Sequence, residues 1–85
     1  MENYSIEIKR SAAKEIARLP HAQLIRITDK IASLANDPRP VGCKKLSGEE
    51  KYRLRVERYR ILYKIEDAQL IVYVVKVAHR KEAYR

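Results

Sequence analysis

Phenylalanine and tryptophan are absent from the 85 residues, and there is a single cysteine. Packing therefore falls to Leu, Ile, Val and six Tyr. Cys43 has no second cysteine to pair with, which excludes an intramolecular disulfide and favours a reducing compartment. With no acidic or metal-ligand cluster beside it, it reads as a small, semi-buried residue. No apolar run reaches the ~18 residues of a membrane span, and "MENYSIEIKR" lacks the apolar centre of a secretory signal. A cytoplasmic chain with no membrane partner is expected. Motifs for H-x-x-x-H or paired-cysteine metal sites are missing, and no serine, base and orienting acid can be assembled into a triad. Neither metal nor cofactor is expected. Repeats, low-complexity tracts and linkers are lacking too, and the length suits one domain over 1–85 with one modest core.

Positive charge is abundant. The net charge is +8, and it is unevenly placed: residues 1–43 hold seven Lys/Arg against five Asp/Glu, residues 44–85 twelve against six. Like charge concentrated in one half destabilises the fold by self-repulsion unless a polyanion relieves it. Nucleic acid is the first such partner to consider, an acidic protein the second.

The periodicity predicts an α+β fold. In "YSIEIK", Tyr4, Ile6 and Ile8 alternate with polar residues, as in a strand. Ser11 is placed to cap a short helix over "AAKEIARL", which Pro20 ends while opening the next. Leu24, Ile27, Ile31 and Leu34, three and four apart, form one stripe of a second helix that stops at Asn36-Asp37-Pro38. A loop follows, with an extended piece at Lys44 to Leu46. Strands are expected over 51–57, 59–66 and 70–77, joined tightly into an antiparallel meander. The last, "LIVYVVKV", is apolar on both parities, as in a strand covered on both faces. The helical hairpin should pack on one face of the resulting four-stranded sheet.

The other face raises the question of function. In "KYRLRV", Tyr52, Leu54 and Val56 occupy one parity and Lys51, Arg53 and Arg55 the other. Arg60 lies across the next turn, and Arg80 belongs to the C-terminal segment. Converging guanidinium groups bind phosphate in bidentate fashion and stay charged, so they suit a phosphodiester gaining negative charge. Lys44, Lys45, Lys51, Arg58 and Lys81 add candidate RNA- or phosphate-binding cations. The competing reading is a solvated strand face paired with Glu49, Glu50 and Glu57. If the chemistry is on RNA, the ribose 2′-OH attacks the adjacent phosphate, which requires a base and an acid besides cations. A histidine side chain can donate or accept a proton, so His79 suits either role, and Tyr84 suits stacking on a base or orienting the sugar–phosphate.

Taken in order, "SAAKEIARLP", "KLSG", "YRLRV", "YRILY" and "HRKEAY" resemble the RelE/ParE superfamily of bacterial and archaeal toxins over essentially the whole chain. The RelE-like branch implies a metal-independent endoribonuclease that cuts mRNA in the ribosomal A site. It also implies a cognate antitoxin that covers the basic cleft in a hetero-oligomer. By this resemblance the catalytic positions are Arg53, Arg55, Arg60, Arg80 and Tyr84. Two departures stand out. Arginines occupy positions where the pattern has lysines, and arginine cannot act as a base. The interval from Arg80 to Tyr84 is also short, while His79 falls where several relatives carry histidine. The ParE-like branch, whose members inhibit DNA gyrase, generally lacks the full arginine-plus-tyrosine set. A non-catalytic RNA-binding relative is the remaining alternative.

Overall fold

Ser5–Ile8 (β1) runs parallel to Ile71–His79 (β5), although the two lie at opposite ends of the chain. The computed structural model describes residues 3–46 and 51–79. Between those strands come helices α1 (Arg10–Ala17) and α2 (His21–Ser33), then β2 (Lys44–Lys45), β3 (Lys51–Val56) and β4 (Tyr59–Glu66). Strands β3, β4 and β5 form the antiparallel meander read from the sequence. The extended piece at Lys44 is a fifth strand, paired with β3, so the sheet is mixed and five-stranded in the order β1-β5-β4-β3-β2 rather than four-stranded.

Each helix boundary has a local cause. The Lys9 N–H still donates to Val74 O at 2.9 Å, so the chain leaves β1 straight into α1 with Lys9 at the N-cap position. Ser11, expected as the cap, therefore sits inside the first turn, and no side chain caps this helix. Arg18 closes α1, and Pro20 takes the N-cap position of α2 with φ −55°. The stripe of α2 is buried as its spacing predicts: Ile27, Ile31 and Leu34 are all at most 3% exposed. Ala12 and Ile16 of α1 join them against Leu54, Ile61, Tyr63 and the valines of β5. Burying each such aliphatic side chain is worth ~1.5–3 kcal/mol, so this one layer holds the helices on the sheet.

Tyr63 is fully buried, and its hydroxyl donates to Pro38 O at 2.8 Å. A buried phenol needs such a partner, and this one ties the α2–β2 loop to the core. Burial, more than any other cause, pushes its pKa above the usual tyrosine value.

The longest strand carries the one irregularity that reorganises the surface. Leu62 pairs with Lys76 but Tyr63 pairs with Val74, leaving Val75 as an extra residue, a β-bulge. Before the bulge Val72 and Val74 face the helices; after it Val77 does. The strand is thus apolar on both parities because the parity switches midway, not because both faces are covered alike. Beyond Ile8, β1 no longer lies along β5, and Glu15 of α1 takes over its edge. Its Oε1 accepts from the Val77 N–H at 3.0 Å and its Oε2 from Lys76 Nζ at 3.1 Å.

Candidate nucleic-acid interface

Tyr52, Leu54 and Ile61 turn toward the helices, so their neighbours along the strands turn away from them. Register then sorts the cations into rows, because directly paired residues share a face. Arg55 pairs with Arg60, and Arg60 with Ala78. One step on, Lys44 pairs with Arg53, Arg53 with Leu62, and Leu62 with Lys76. A step further, Lys51 pairs with Lys64, Lys64 with Tyr73, and Tyr73 with Glu7. Successive rows are ~7 Å apart, two residues of strand. No carboxylate occupies a register position in the first two rows. Leu62 and Ala78 are each only 8% exposed although they lie on this face, flanked by the arginine and lysine positions.

Of the residues singled out from the sequence, the sheet brings together Arg53, Arg55, Arg60, Lys44 and Lys51 on the face away from α1 and α2. Lys45 pairs with Tyr52 and belongs to the other face. Arg58 lies in the two-residue turn between β3 and β4. Arg80, Lys81 and Tyr84 lie outside the described residues, as do Ser47 and Gly48 of "KLSG" and Glu49 and Glu50.

His79 is expected beside the arginines as a proton-transfer group, and the register separates it from them. It pairs with Tyr59, and the two rings meet edge-on with centroids 5.8 Å apart at 80°. The cause is the bulge: unbroken alternation from Val74 would send His79 to the arginine face and Lys76 into the core. Instead His79 lines a cavity of about 360 Å³ with Pro20, Gln23, Glu57, Arg58 and Tyr59. Glu57, the ion-pair partner considered for the strand arginines, is engaged by Arg26 of α2 at 2.6 Å.

Sequence reasoning left out three residues. Lys64 shares the parity of Arg60, a signal that was legible. Lys76 reaches the face only through the bulge, and its charge is met by Glu15. Arg39 secures β2 from the loop before it. Its guanidinium donates to Asp67 Oδ2 at 2.8 Å and Oδ1 at 3.2 Å, its Nε donates to the Tyr52 hydroxyl at 3.1 Å, and it lies over the Tyr52 ring. Tyr4 donates to the same Asp67 at 2.7 Å. Arg39 first, then Tyr4, holds the Asp67 carboxyl down at about 2. Tyr52 in turn stacks on Tyr63 at 5.8 Å, so the loop preceding Lys44 is fixed from both sides.

This surface can bind an extended polyanion and stabilise charge on a phosphate. Among the described residues, the ionisable side chains in its first two rows are all Arg or Lys, hydrogen-bond donors with no acceptor.

A family model described as the ParE toxin of type II toxin–antitoxin system, parDE, matches residues 6–84. The toxin RelG of Mycobacterium tuberculosis is 28% identical over 86 residues, covering 96% of this chain and 97% of that protein. Among solved structures, the archaeal RelE–RelB complex from Pyrococcus horikoshii contains a chain that superposes with a TM-score of 0.84 at 25% identity, over 95% of this chain and 99% of that one. The toxin–antitoxin complex RelBE2 from Mycobacterium tuberculosis gives 0.81 at 26% identity, over 92% and 99%.

Proposed function

Because this chain belongs to the ParE toxin family of type II toxin–antitoxin systems, we propose that it is an RelE-like toxin: a cytoplasmic endoribonuclease, one domain over 1–85, that cleaves mRNA in the ribosomal A site and is silenced by a cognate antitoxin. The observation that carries this reading is the stack of opposed cations, Arg55 against Arg60 and Lys44 against Arg53, on the face that the helices leave open. The printed names of its relatives, RelG and the RelE–RelB complexes, support the same branch.

In this mechanism Arg53, Arg55 and Arg60 grip the scissile phosphate. The 2′-oxygen attacks phosphorus, the bond to the 5′-oxygen breaks, and a cyclic phosphate remains on the upstream fragment. The 2′-OH gives up its proton and the 5′-oxygen takes one. The guanidinium groups stabilise the pentacoordinate charge by donating hydrogen bonds, without exchanging a proton themselves. Arg80, Lys81 and Tyr84, outside the described residues, are proposed as further contacts to the RNA on the strength of the family resemblance alone. His79 stands across the sheet from the clamp, so alignment of the 2′-OH rests on geometry imposed by the ribosome.

The test is primer extension on mRNA from a reconstituted translation reaction given the purified chain, alongside a gyrase supercoiling assay. Cuts within the codon occupying the A site, lost on Arg60→Ala, are expected. Intact mRNA with inhibited supercoiling would replace this reading with gyrase poisoning.

A further inference from the structure

Tyr73 is the only aromatic residue in the rows of the basic face described above. It is half-buried in β5, two rows, or ~14 Å along the strand direction, from the Arg55–Arg60 pair. Lys64 and Lys51 flank it on one side and Glu7 on the other. It lines a shallow cleft of about 500 Å³ with Glu7, Lys64, Glu66, Gln69 and Ile71. The composition of this cleft differs from that of the arginine rows. Two carboxylates repel phosphate, so the cleft is not a continuation of the phosphate track. What it offers is a ring and an isoleucine for a flat apolar face, carboxylates that accept hydrogen bonds from amines, and a primary amide. Single strands are held in this way on sheet surfaces, with cations along the backbone and aromatic side chains under the bases.

We propose that the Tyr73 cleft receives a nucleobase of the RNA strand whose phosphates lie on the Lys51, Lys64 and arginine rows, and that it selects bases bearing an exocyclic amine. Tyr73 supplies the stacking surface, and Glu7 and Glu66 accept from the amine of cytosine, adenine or guanine. Uracil presents carbonyl acceptors where those bases present an amine, leaving its N3–H as the one ring donor for the two carboxylates. The proposal deepens the toxin reading by naming a subsite a couple of nucleotides from the cleaved phosphate, and it rests on that reading for its biological setting.

The test needs no ribosome. Fluorescence anisotropy would measure the binding of uncleavable 2′-O-methyl oligonucleotides of equal length and charge: oligo-C, oligo-U and an abasic strand. The expected order is oligo-C above oligo-U above abasic. Tyr73→Leu should remove at least about five-fold from the preference for base-bearing over abasic strands, the scale of one lost stack, while Tyr73→Phe keeps it. Glu66→Gln and Glu7→Gln should narrow the gap between oligo-C and oligo-U while affecting the abasic strand little. Thermal melting of each variant shows whether it is folded. Equal binding of the three strands by the wild-type chain overturns the proposal, as does a folded Tyr73→Leu that keeps full discrimination. Poly-glutamate competing as well as oligo-C would also overturn it, marking the face as a docking site for acidic protein. Failure of the toxin reading shows separately, as uncut mRNA on ribosomes, whatever the base preference.

Discussion

Arg55 stands directly opposite Arg60 across the β3–β4 ladder, two guanidinium side chains in a position where sheets ordinarily place opposite charges or apolar pairs. Like charges so placed cost ~0.2–1 kcal/mol, a cost that the anion of the proposed function would offset. Stability and activity should therefore respond in opposite directions. Arg55→Thr is expected to leave the melting temperature unchanged or raise it slightly. Arg60→Ala is expected to reduce cleavage on ribosomes by at least ~10²-fold, the scale of losing one donor to the transition state. Thermal melts and single-turnover cleavage on the same preparations check both, and wild-type cleavage by Arg60→Ala would remove the clamp from the mechanism.

Acid stability should depend on Asp67. Its folded pKa of about 2, depressed by Arg39 and then Tyr4, is below the ~3.9 of an unfolded aspartate. A depressed carboxylate stabilises the fold fully above the unfolded value and loses that contribution as pH falls through the folded one. The difference in urea midpoint between wild type and Asp67→Asn should thus be constant above about pH 4 and shrink toward pH 2. A difference unchanged across that window would mean that the Arg39–Asp67 contact carries no stability in solution.

Much of this arrangement was legible in the sequence, and the reason lies in strict alternation. Tyr52, Leu54 and Val56 announce the buried parity of β3, so the side taken by Arg53 and Arg55 follows without coordinates. The same rule applied to Arg60 reaches Lys64. Among the described strands alternation fails in β5, where Val75 adds one residue among valines with no glycine or proline to mark it. That single residue decides which side Lys76 and His79 take. The two-residue strand β2 shows the other kind of difficulty: Lys44 and Lys45 are too short a run for periodicity, and their pairing depends on a loop held by Arg39, a contact 28 residues away in sequence from Asp67.

The β3–β4 turn stores strain that can be separated from its ion pair. Glu57 has φ 54°, a left-handed conformation that non-glycine side chains seldom adopt. Replacing it with glycine relieves a cost of ~1 kcal/mol or more, whereas the exposed pair with Arg26 contributes only ~0–1 kcal/mol. Relief should equal or outweigh loss, so Glu57→Gly is expected to match or exceed wild-type stability in urea, while Glu57→Ala, which keeps the strain and loses the pair, falls below it. Once glycine is in place, Arg26→Ala should cost nothing further. A Glu57→Gly variant less stable than Glu57→Ala would show that the turn is not strained.

A face proposed to grip RNA should also be covered when the toxin is at rest, and the kinetics of that covering should report its charge. In the proposed complex an antitoxin segment bearing Asp or Glu meets the rows of Arg53, Arg55, Arg60, Lys51 and Lys64. Opposed charges act over a Debye length, ~10 Å at 0.1 M salt and ~3 Å at 1 M, so they govern encounter more than residence. Apolar contacts elsewhere set how long the complex lasts. The association rate of the cognate pair should therefore fall steeply with added salt while dissociation changes little. Arg53→Ala and Lys64→Ala should lower the low-salt association rate and flatten its salt dependence. Both lie on the open face away from the helices, so the comparison separates charge from packing. An association rate indifferent to salt and to these substitutions would mean that the antitoxin approaches a different surface.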